Sequence, residues 1–378
     1  MKILINACLH VGGGVQVADA FIRTLKPYKG NEYVIIISNE VKQSLGDISV
    51  YPKNFTFIHI PYQGPDLGRF LFGRYKTFDD IAEKYKPEIV FSVFGPSYWK
   101  PKNIPHICGF AISHYVYRDS PFFTVISKIN YLKFLIRSKI KIHCFKRDAQ
   151  IYITENTDVS KRLQKLFPSH KIYTITNYYN PCFDDESLQE SFPIPKFDGI
   201  TLLTVAANYP HKNYQIIPKV IEYFDKFYPK FKYRFVVSLN AGVLPINEHI
   251  LPIGKVKIAH CPSLFKQSDF LFMPTLLESF SASYAEAMKM QKPILTSNLP
   301  FAVGLCGKAA VYFEPLSAKD IAEKIYKLAQ DSAKQQELID EGVMQLKTFD
   351  TYIMRTEKYL QIMKETINST TDEGNKKC

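Results

Sequence analysis

Short apolar runs alternate with helix-like segments along most of the chain. Each run has the length and continuity of a strand that is buried on both faces of a parallel sheet. The segments between the runs carry apolar residues at the spacing of amphipathic helices that cover such a sheet. The alternation therefore predicts an α/β fold with doubly wound parallel sheets. The predicted strands are 2–9, 33–38, 55–60, 89–94, 105–112, 151–154, 171–176, 201–206, 233–239, 270–273, 294–295 and 310–313.

The chain has 378 residues, which is too long for one hydrophobic core and suits two α/β domains. A stretch with three prolines and an Asp-Asp-Glu-Ser run interrupts the alternation, as an interdomain linker does. The expected parts are a first domain at 1–180, a linker at 181–198, a second domain at 199–349, an amphipathic helix at 350–367 and a polar, disordered tail at 368–378.

The composition of the chain limits which cellular compartment and which binding partners are expected. The formal net charge is +12, which favours acidic partners such as nucleotide phosphates or anionic lipid headgroups. Nucleic acid is a poorer explanation, since no recognised binding module accompanies the charge. The seven cysteines have no paired spacing, so we expect reduced thiols and neither a zinc site nor a disulfide framework. No signal peptide and no apolar run of about eighteen residues is evident, so we expect a cytoplasmic protein.

Candidate chemistry concentrates in residues 268–297. The predicted strand 270–273 breaks at a proline, and a helix follows that extends to about residue 290. Ser279 and Ser281 offer N-cap oxygens for this helix. Glu278 precedes the helix and Glu286 lies two turns inside it, roughly 12 Å further along, which is the span of a nucleotide diphosphate. The backbone amides of the first turn would bind phosphate oxygens, and the carboxylates would bind hydroxyls. Alternatively, Glu278 is an ordinary first-turn acid and Glu286 a solvated helix residue.

The sequence Glu-Ser-Phe-Ser-Ala-Ser-Tyr-Ala-Glu at 278–286, with its flanking strand and the Lys-Pro-Ile-Leu-Thr-Ser that follows, resembles a known motif. It is similar to the paired-glutamate motif of the retaining glycosyltransferases of family 4, within glycosyltransferase group 1. The resemblance implies the GT-B fold, in which two Rossmann-like domains face a cleft and a C-terminal helix, here 350–367, crosses back to the first domain. It implies an acceptor-side first domain and a nucleotide-sugar-binding second domain.

The same resemblance assigns the donor site. Glu278 would bind the donor sugar and Glu286 the ribose, while the segment 250–258 would hold the base. Lys212, in a His-Lys-Asn sequence after the strand 201–206, would place its charge on the diphosphate. Much of the family has Gly-x-Arg just before this point, where this chain has Ala207 and Asn208, so Asn208 is the candidate substitute for the arginine. The remaining donor-binding candidates are Ser279, Phe280, Ser281 and Ala282.

Two features of the first domain are further candidates. Gly12, Gly13 and Gly14 follow the first strand and are expected to form a loop before a helix at 15–25, facing acceptor or donor phosphate; a tight strand-to-helix turn is the other interpretation. His114 follows the strand 105–112 at the edge where open α/β sheets bind ligands. The resemblance implies that His114 helps to orient the donor sugar. The alternative is a loop histidine that bonds to a backbone carbonyl.

Residues 128–147 combine seven basic residues with apolar and aromatic ones, and contain no acidic residue. This composition fits an amphipathic surface that docks on the inner face of the plasma membrane through anionic lipid. It fits equally a helix that packs within the domain and exposes a solvated basic face.

The predicted activity is transfer of a sugar from UDP-sugar or GDP-sugar to an acceptor hydroxyl, with retention at the anomeric carbon. The resemblance implies a glycan or lipid-linked acceptor in cell-surface polysaccharide synthesis. It also implies that neither a metal nor another cofactor is needed, because Lys212 and helix amides neutralise the diphosphate. Two rival hypotheses are a non-catalytic homologue that binds nucleotide sugar or supports a partner glycosyltransferase, and a hydrolase or epimerase on the same scaffold.

Overall fold

The computed structural model describes residues 1–10 and 12–375, with side chains to residue 370. Thirteen strands form two all-parallel sheets in this part of the chain. The strands are β1 Lys2–Ala7, β2 Glu32–Ile37, β3 Phe55–His59, β4 Ile89–Ser92, β5 His106–Gly109, β6 Ile151–Thr154, β7 Lys171–Thr174, β8 Ile200–Thr204, β9 Tyr233–Val237, β10 Ile250–Pro252, β11 Phe270–Met273, β12 Ile294–Ser297 and β13 Ala310–Phe313. The predicted α/β class with two Rossmann-like parallel-sheet domains is confirmed.

Helices occupy most of the connections between these strands. They are α1 Gly12–Thr24, α2 Asn39–Leu45, α3 Leu67–Phe72, α4 Lys76–Tyr85, α5 Phe122–Val125, α6 Lys128–Asp148, α7 Thr157–Leu166, α8 Ile217–Phe227, α9 Cys261–Lys266, α10 Ala282–Lys289, α11 Pro300–Cys306, α12 Ala318–Ala329, α13 Ser332–Leu346 and α14 Tyr352–Asn375. None of the described helices is long and apolar enough to span a bilayer. The six described cysteines are free.

The first structural unit contains residues 1–116, 126–176 and 350–378. Its sheet has the order β3-β2-β1-β4-β5-β6-β7, so the strand order reverses between β1 and β4. One face of the sheet is covered by α1, α2 and α14, and the other face packs around Phe78 of α4 and the fully buried Trp99. The C-terminal helix thus belongs to the first unit, as the resemblance implies.

Helix α14 is held on the first unit by specific contacts. The hydroxyls of Thr24 and Thr356 lie 2.6 Å apart, and the rings of Phe21 and Tyr359 pack edge to face. The helix extends to Asn375, so the expectation of disorder from residue 368 is wrong for residues 368–375. The hydroxyls of Ser369 and Thr370 donate to carbonyls inside the helix, so these polar residues do not end it. Residues 376–378 lie outside the described residues.

The second structural unit contains residues 117–125 and 177–349. Its sheet has the order β10-β9-β8-β11-β12-β13, around a core that includes Phe235, Phe272 and Phe313. The short segment 117–125 precedes most of this unit in the chain by more than fifty residues. It packs there through the Ser120 hydroxyl, which donates to the Leu276 carbonyl at 2.6 Å, and through the ring of Phe122 against His211.

Candidate functional site

The candidate donor site lies where the strand order of the second sheet reverses, between β8 and β11. At such a point the loops after two neighbouring parallel strands separate, and open α/β sheets bind ligands beyond the carboxyl ends of these strands. Lys212 lies in the loop after β8, and Glu278 lies in the loop after β11. The topology therefore brings together two predicted residues that are 66 positions apart.

Lys212 and Glu278 form an ion pair between Nζ and Oε2. Both side chains keep a small exposed fraction, 12% for Lys212 and 16% for Glu278. The pair is therefore partly shielded from water, yet open to a ligand. A diphosphate that approaches Lys212 would compete with the carboxylate of Glu278 for the ammonium group.

The backbone around Lys212 explains the His-Lys-Asn sequence. Residues Pro210–Lys212 form a single 3-10 turn, and Asn213 follows in the left-handed conformation with φ 55°. Asparagine tolerates this conformation better than most residues. Its Nδ2 donates to the Pro315 carbonyl at 2.9 Å. The Leu276 amide donates to the His211 carbonyl at 2.7 Å, which joins the Lys212 loop to the Glu278 loop.

The N-cap residue of α10 makes no capping hydrogen bond through its side chain. Ser281 occupies the N-cap position with extended backbone, but its hydroxyl accepts no bond from the turn. The expectation that Ser281 caps the helix is therefore wrong, and both Ser281 and Ser279 are buried. The amides of Ala282 and Ser283, which begin this turn, lie at the positive end of the helix dipole, where an anion is favoured.

Glu286 is buried, with 4% of its surface exposed. Burial raises the pKa of Glu286 to about 7, against the opposing effect of a hydrogen bond from Ser283. The alternative of a solvated helix residue is therefore wrong for Glu286. The Ser283 hydroxyl lies 3.5 Å from the Val205 carbonyl at the end of β8, so this side of α10 faces the loop that leads to Lys212.

A pocket of about 380 Å³ opens at the carboxyl ends of β8, β9 and β10. Its size falls within the range of small-molecule sites. The lining residues are Val205, Ala206, Ala207, Asn208, Ser238, Leu239, Asn240, Val243, Lys255 and Val256. The pocket thus includes Asn208 and part of the segment 250–258, which the resemblance assigns to the base.

Some residues of the site differ from their sequence-based description. Phe280 is buried, and its ring packs edge to face on Phe349, so its observed contact is structural. Lys255 lines the pocket but was not a sequence-based candidate. The sequence feature that could have indicated Lys255 is the preceding Gly254, which has φ 71° and turns the chain after β10, at the carboxyl edge of the sheet.

In the first unit, Gly12, Gly13 and Gly14 form the first turn of α1. The expected loop before a helix at 15–25 is therefore wrong, because none of the three glycines has positive φ and all continue as helix. A Cβ on Gly12 or Gly13 would contact nothing within 4 Å. Close packing within the chain does not require glycine at these two positions.

His114 lies in the 3-10 turn Ser113–Tyr115, five residues beyond the end of β5. Burial, with a smaller effect from Lys141, lowers the pKa of His114 to about 4. The imidazole is therefore neutral at pH 7 and can act only as a neutral hydrogen-bonding group there. His114 and the three glycines belong to the first unit, whereas Lys212, Glu278 and Glu286 belong to the second.

Comparisons with known proteins show what this chain is similar to. Residues 188–343 match the family described as glycosyl transferases group 1. A glycosyltransferase from Rickettsia africae ESF-5 is 16% identical, with coverage of 96% of this chain and 98% of that protein and a TM-score of 0.68. A sucrose-phosphate synthase from Thermosynechococcus elongatus is 11% identical, with coverage of 98% and 100% and a TM-score of 0.71. Anabaena HepE, in complex with UDP and glucose, is 12% identical, with coverage of 97% and 100% and a TM-score of 0.63.

No curated protein sequence matches the chain. At these identities the structural likeness shows the fold, which is the two-domain GT-B fold. The residues that match glycosyl transferases group 1, 188–343, lie within the second unit. The described residues contain no group of three or more His, Cys, Asp or Glu side chains suited to a metal ion.

Proposed function

We propose that this protein is a retaining glycosyltransferase that transfers a sugar from UDP-sugar or GDP-sugar to an acceptor hydroxyl. The observation that carries the proposal is the Lys212–Glu278 ion pair in the loops that precede α8 and α10, together with the first turn of α10, where Ser281 makes no side-chain cap. A cation and the amides of a helix N-terminus suit a diphosphate, and a carboxylate next to them suits sugar hydroxyls. The GT-B structure that holds UDP and glucose supports the same ligand class.

In the proposed reaction, the bond between the anomeric carbon and the diphosphate oxygen breaks and a bond to the acceptor oxygen forms on the same face. The leaving phosphate takes the proton of the acceptor hydroxyl. Lys212 and the amides of Ala282 and its neighbours stabilise the charge that develops on this phosphate, which is the reason we expect no requirement for a metal. Glu278 binds the donor sugar, Glu286 binds the ribose, and neutral His114 orients the sugar.

The base of the donor is assigned to the pocket beside Asn208. In much of the resembled family an arginine and a lysine both bind the phosphate. Here Asn208, which is exposed at the pocket, is the candidate substitute for that arginine. Because a cation is missing here, the test below also addresses the rival hypothesis of a non-catalytic protein that binds nucleotide sugar or acts as a scaffold. The missing arginine leaves Lys212 as the cation assigned to the phosphate, so its removal should have a large effect.

The test is isothermal titration of UDP and GDP, and of their sugar conjugates, into wild type and two variants. Lys212→Ala should weaken diphosphate binding roughly tenfold or more. Glu278→Gln should preserve or tighten UDP binding, because it frees the ammonium of Lys212, and should weaken discrimination for the sugar. Lys219→Ala, at an exposed lysine of α8, is the matched control.

Turnover separates the three hypotheses. Release of UDP or GDP that depends on an acceptor, and survives removal of metal by EDTA, supports the transferase. Release of free sugar or its epimer without any acceptor supports a hydrolase or epimerase. Binding without turnover supports the non-catalytic homologue, and absence of binding by every nucleotide contradicts the proposed donor site.

We place the acceptor among glycans or lipid-linked glycans of the cell surface, because α6 has the features of a helix that lies on a membrane. Ile129, Leu132 and Ile136 are each more than half exposed. At about 100° per residue they form one apolar stripe. The exposed basic residues beside the stripe are Lys128 and Lys139 on one side and Lys133 and Arg137 on the other. We propose that this face docks on an anionic lipid surface.

Vesicle co-sedimentation tests the membrane proposal. The wild type should bind vesicles that contain phosphatidylglycerol and not vesicles of phosphatidylcholine alone. The double variant Lys133→Gln/Arg137→Gln should lose about 2 kcal/mol of this binding, at about 1 kcal/mol for each basic residue. Lys319→Gln, an exposed lysine of the second unit, should bind as wild type does. Equal binding by the double variant would contradict the docking surface.

A further inference from the structure

Arg69 of α3 is a buried cation in the first unit, with 8% of its surface exposed. Within its guanidinium only Nη1 donates hydrogen bonds to described residues, and both acceptors are neutral backbone carbonyls, of Gln63 and Gly64, at 3.3 and 3.4 Å. The Nε group is buried without a partner. The guanidinium also lies over the ring of Tyr75, 3.9 Å from its centre.

The neighbours of Arg69 do not neutralise its charge. Burial raises the pKa of the Cys8 thiol to about 11, although Arg69 lowers it, so the thiol is neutral at pH 7. Burial likewise raises the pKa of Tyr62 despite the opposing effect of Arg69. Glu40 is the carboxylate that also acts on Cys8, and Asp66 accepts a hydrogen bond from the backbone amide of Arg69 at 2.8 Å, but among the described residues neither carboxylate forms an ion pair with the Arg69 guanidinium. A buried cation without an anionic partner is unfavourable, so the arrangement calls for an external anion.

Arg69 lies near groups that follow the carboxyl ends of three parallel strands. Cys8 and His10 follow β1, Tyr62 follows β3, and Tyr98, which interacts electrostatically with Tyr62, follows β4. This is the ligand-binding edge of the first sheet, and the strand order reverses between β1 and β4. The rings of His10 and Tyr62 stack with centres 3.8 Å apart, and both side chains are exposed. A stacked pair of exposed rings offers a flat surface for a sugar ring.

We propose that Arg69, with His10 and Tyr62 at its rim, forms a subsite for a negatively charged group, a phosphate or a carboxylate, on the acceptor sugar. The inference rests on the proposed function, in which the first unit receives the acceptor. It adds to that function the class of acceptor, an anionic saccharide. The guanidinium binds the anion through Nε and Nη2, which donate no hydrogen bond to described residues, and the ring pair contacts the sugar.

The test is titration of glucose 6-phosphate, glucuronate and neutral glucose into the full chain. It is done with the donor site saturated by UDP, and repeated in Lys212→Ala, so that binding of phosphate at the donor site does not contribute. Wild type should bind one or both charged sugars and not glucose. Preference for glucose 6-phosphate or for glucuronate identifies the charged group as a phosphate or a carboxylate.

Arg69→Gln should weaken binding of the charged sugar roughly tenfold or more, and Arg69→Lys by an intermediate factor, because lysine keeps the charge and loses the planar fork. Arg74→Gln, at an exposed arginine of the same segment, should bind as wild type does. Should Arg69→Gln fail to fold, Arg69→Lys carries the comparison. Unchanged affinity in the folded Arg69 variants, equal binding of glucose, or absence of charged-sugar binding would overturn the subsite.

The two proposals fail in different ways. Loss of the Arg69 effect with intact UDP binding would refute the anionic subsite and leave the donor function standing. Absence of UDP binding, with charged sugars still bound through Arg69, would refute the donor function alone.

Discussion

Replacement of Glu286 by glutamine tests the burial of this carboxyl directly. The pKa of Glu286 rises from 4.5 to about 7, because burial penalises the charged form. Between these two pH values the folded protein holds a proton that the unfolded chain has released. Raising the pH through this window therefore lowers the stability of the wild type, and the loss is complete above pH 7. At about 1.4 kcal/mol for each pH unit, the loss amounts to about 3 kcal/mol.

Glutamine keeps the shape and the hydrogen-bonding capacity of the side chain without the charge. We expect Glu286→Gln to match the wild type near pH 4.5 and to exceed its free energy of unfolding by about 3 kcal/mol at pH 8. The assay is urea unfolding followed by circular dichroism at several pH values from 4.5 to 8.5. Other titrating groups are common to both proteins, so they cancel in the difference between the two curves.

Glu222→Gln, at an exposed glutamate of α8, is the control and should follow the wild type at every pH. A Glu286→Gln variant that is no more stable than the wild type at pH 8 would refute the reasoning. A carbon-13 titration of the Glu286 carboxyl that gives a pKa near 4.5 would refute it independently.

Three further substitutions test local structure. Asn213→Ala should destabilise by about 1–3 kcal/mol in thermal unfolding, because alanine disfavours the left-handed conformation and loses the bond to Pro315. Ser120→Ala should cost about 1 kcal/mol, because it removes the donor to the Leu276 carbonyl. For His106, burial lowers the pKa from 6.5 to about 4, so the wild type should lose about 3 kcal/mol as the pH falls through this window, and His106→Gln should remove that slope.

Each of these predictions has its own check. Asn213→Gly loses the hydrogen bond but keeps the backbone freedom, so it should cost less than Asn213→Ala. Ser120→Ala should also weaken UDP binding, because it removes the contact to Leu276 beside the donor site. Ser127→Ala, which removes the cap of α6 in the other unit, is the control and should leave UDP binding unchanged. An identical acid slope in wild type and His106→Gln would show that other groups cause the acid sensitivity.

The positions of the strands could be predicted because buried parallel strands are continuous apolar runs. Each strand of the first sheet corresponds to a predicted run. Across both sheets, the observed strands β6, β11 and β13 begin and end where the predicted runs 151–154, 270–273 and 310–313 do. The predicted run 105–112 is too long, since β5 ends at Gly109. The reason is that Phe110, beyond the strand, is also fully buried, so burial continues after the hydrogen-bond ladder has ended. The edge strand β10 was not predicted, because three residues that end in a proline carry little strand signal.

Residues of the donor site could be named from local motifs, whereas their contacts could not. The motif at 278–286 and the His-Lys-Asn sequence identified Glu278 and Lys212, but their ion pair depends on how two distant loops meet. The burial of Glu286 likewise depends on the sheet beneath α10. Arg69 has no sequence signal, because a single arginine in the short helix Leu67–Phe72 carries no pattern that indicates its burial.

The chain passes between the two units at 116/117, 125/126, 176/177 and 349/350. A fragment limited to the matched residues 188–343 would lack Ser120 and Phe122, and with them the contacts to Leu276 and His211 beside the donor site. Helix α14, which covers the first sheet, is synthesised only after residues 177–349. During translation the first unit therefore cannot complete its core until the whole second unit has left the ribosome. The two units are expected to finish folding together rather than one after the other.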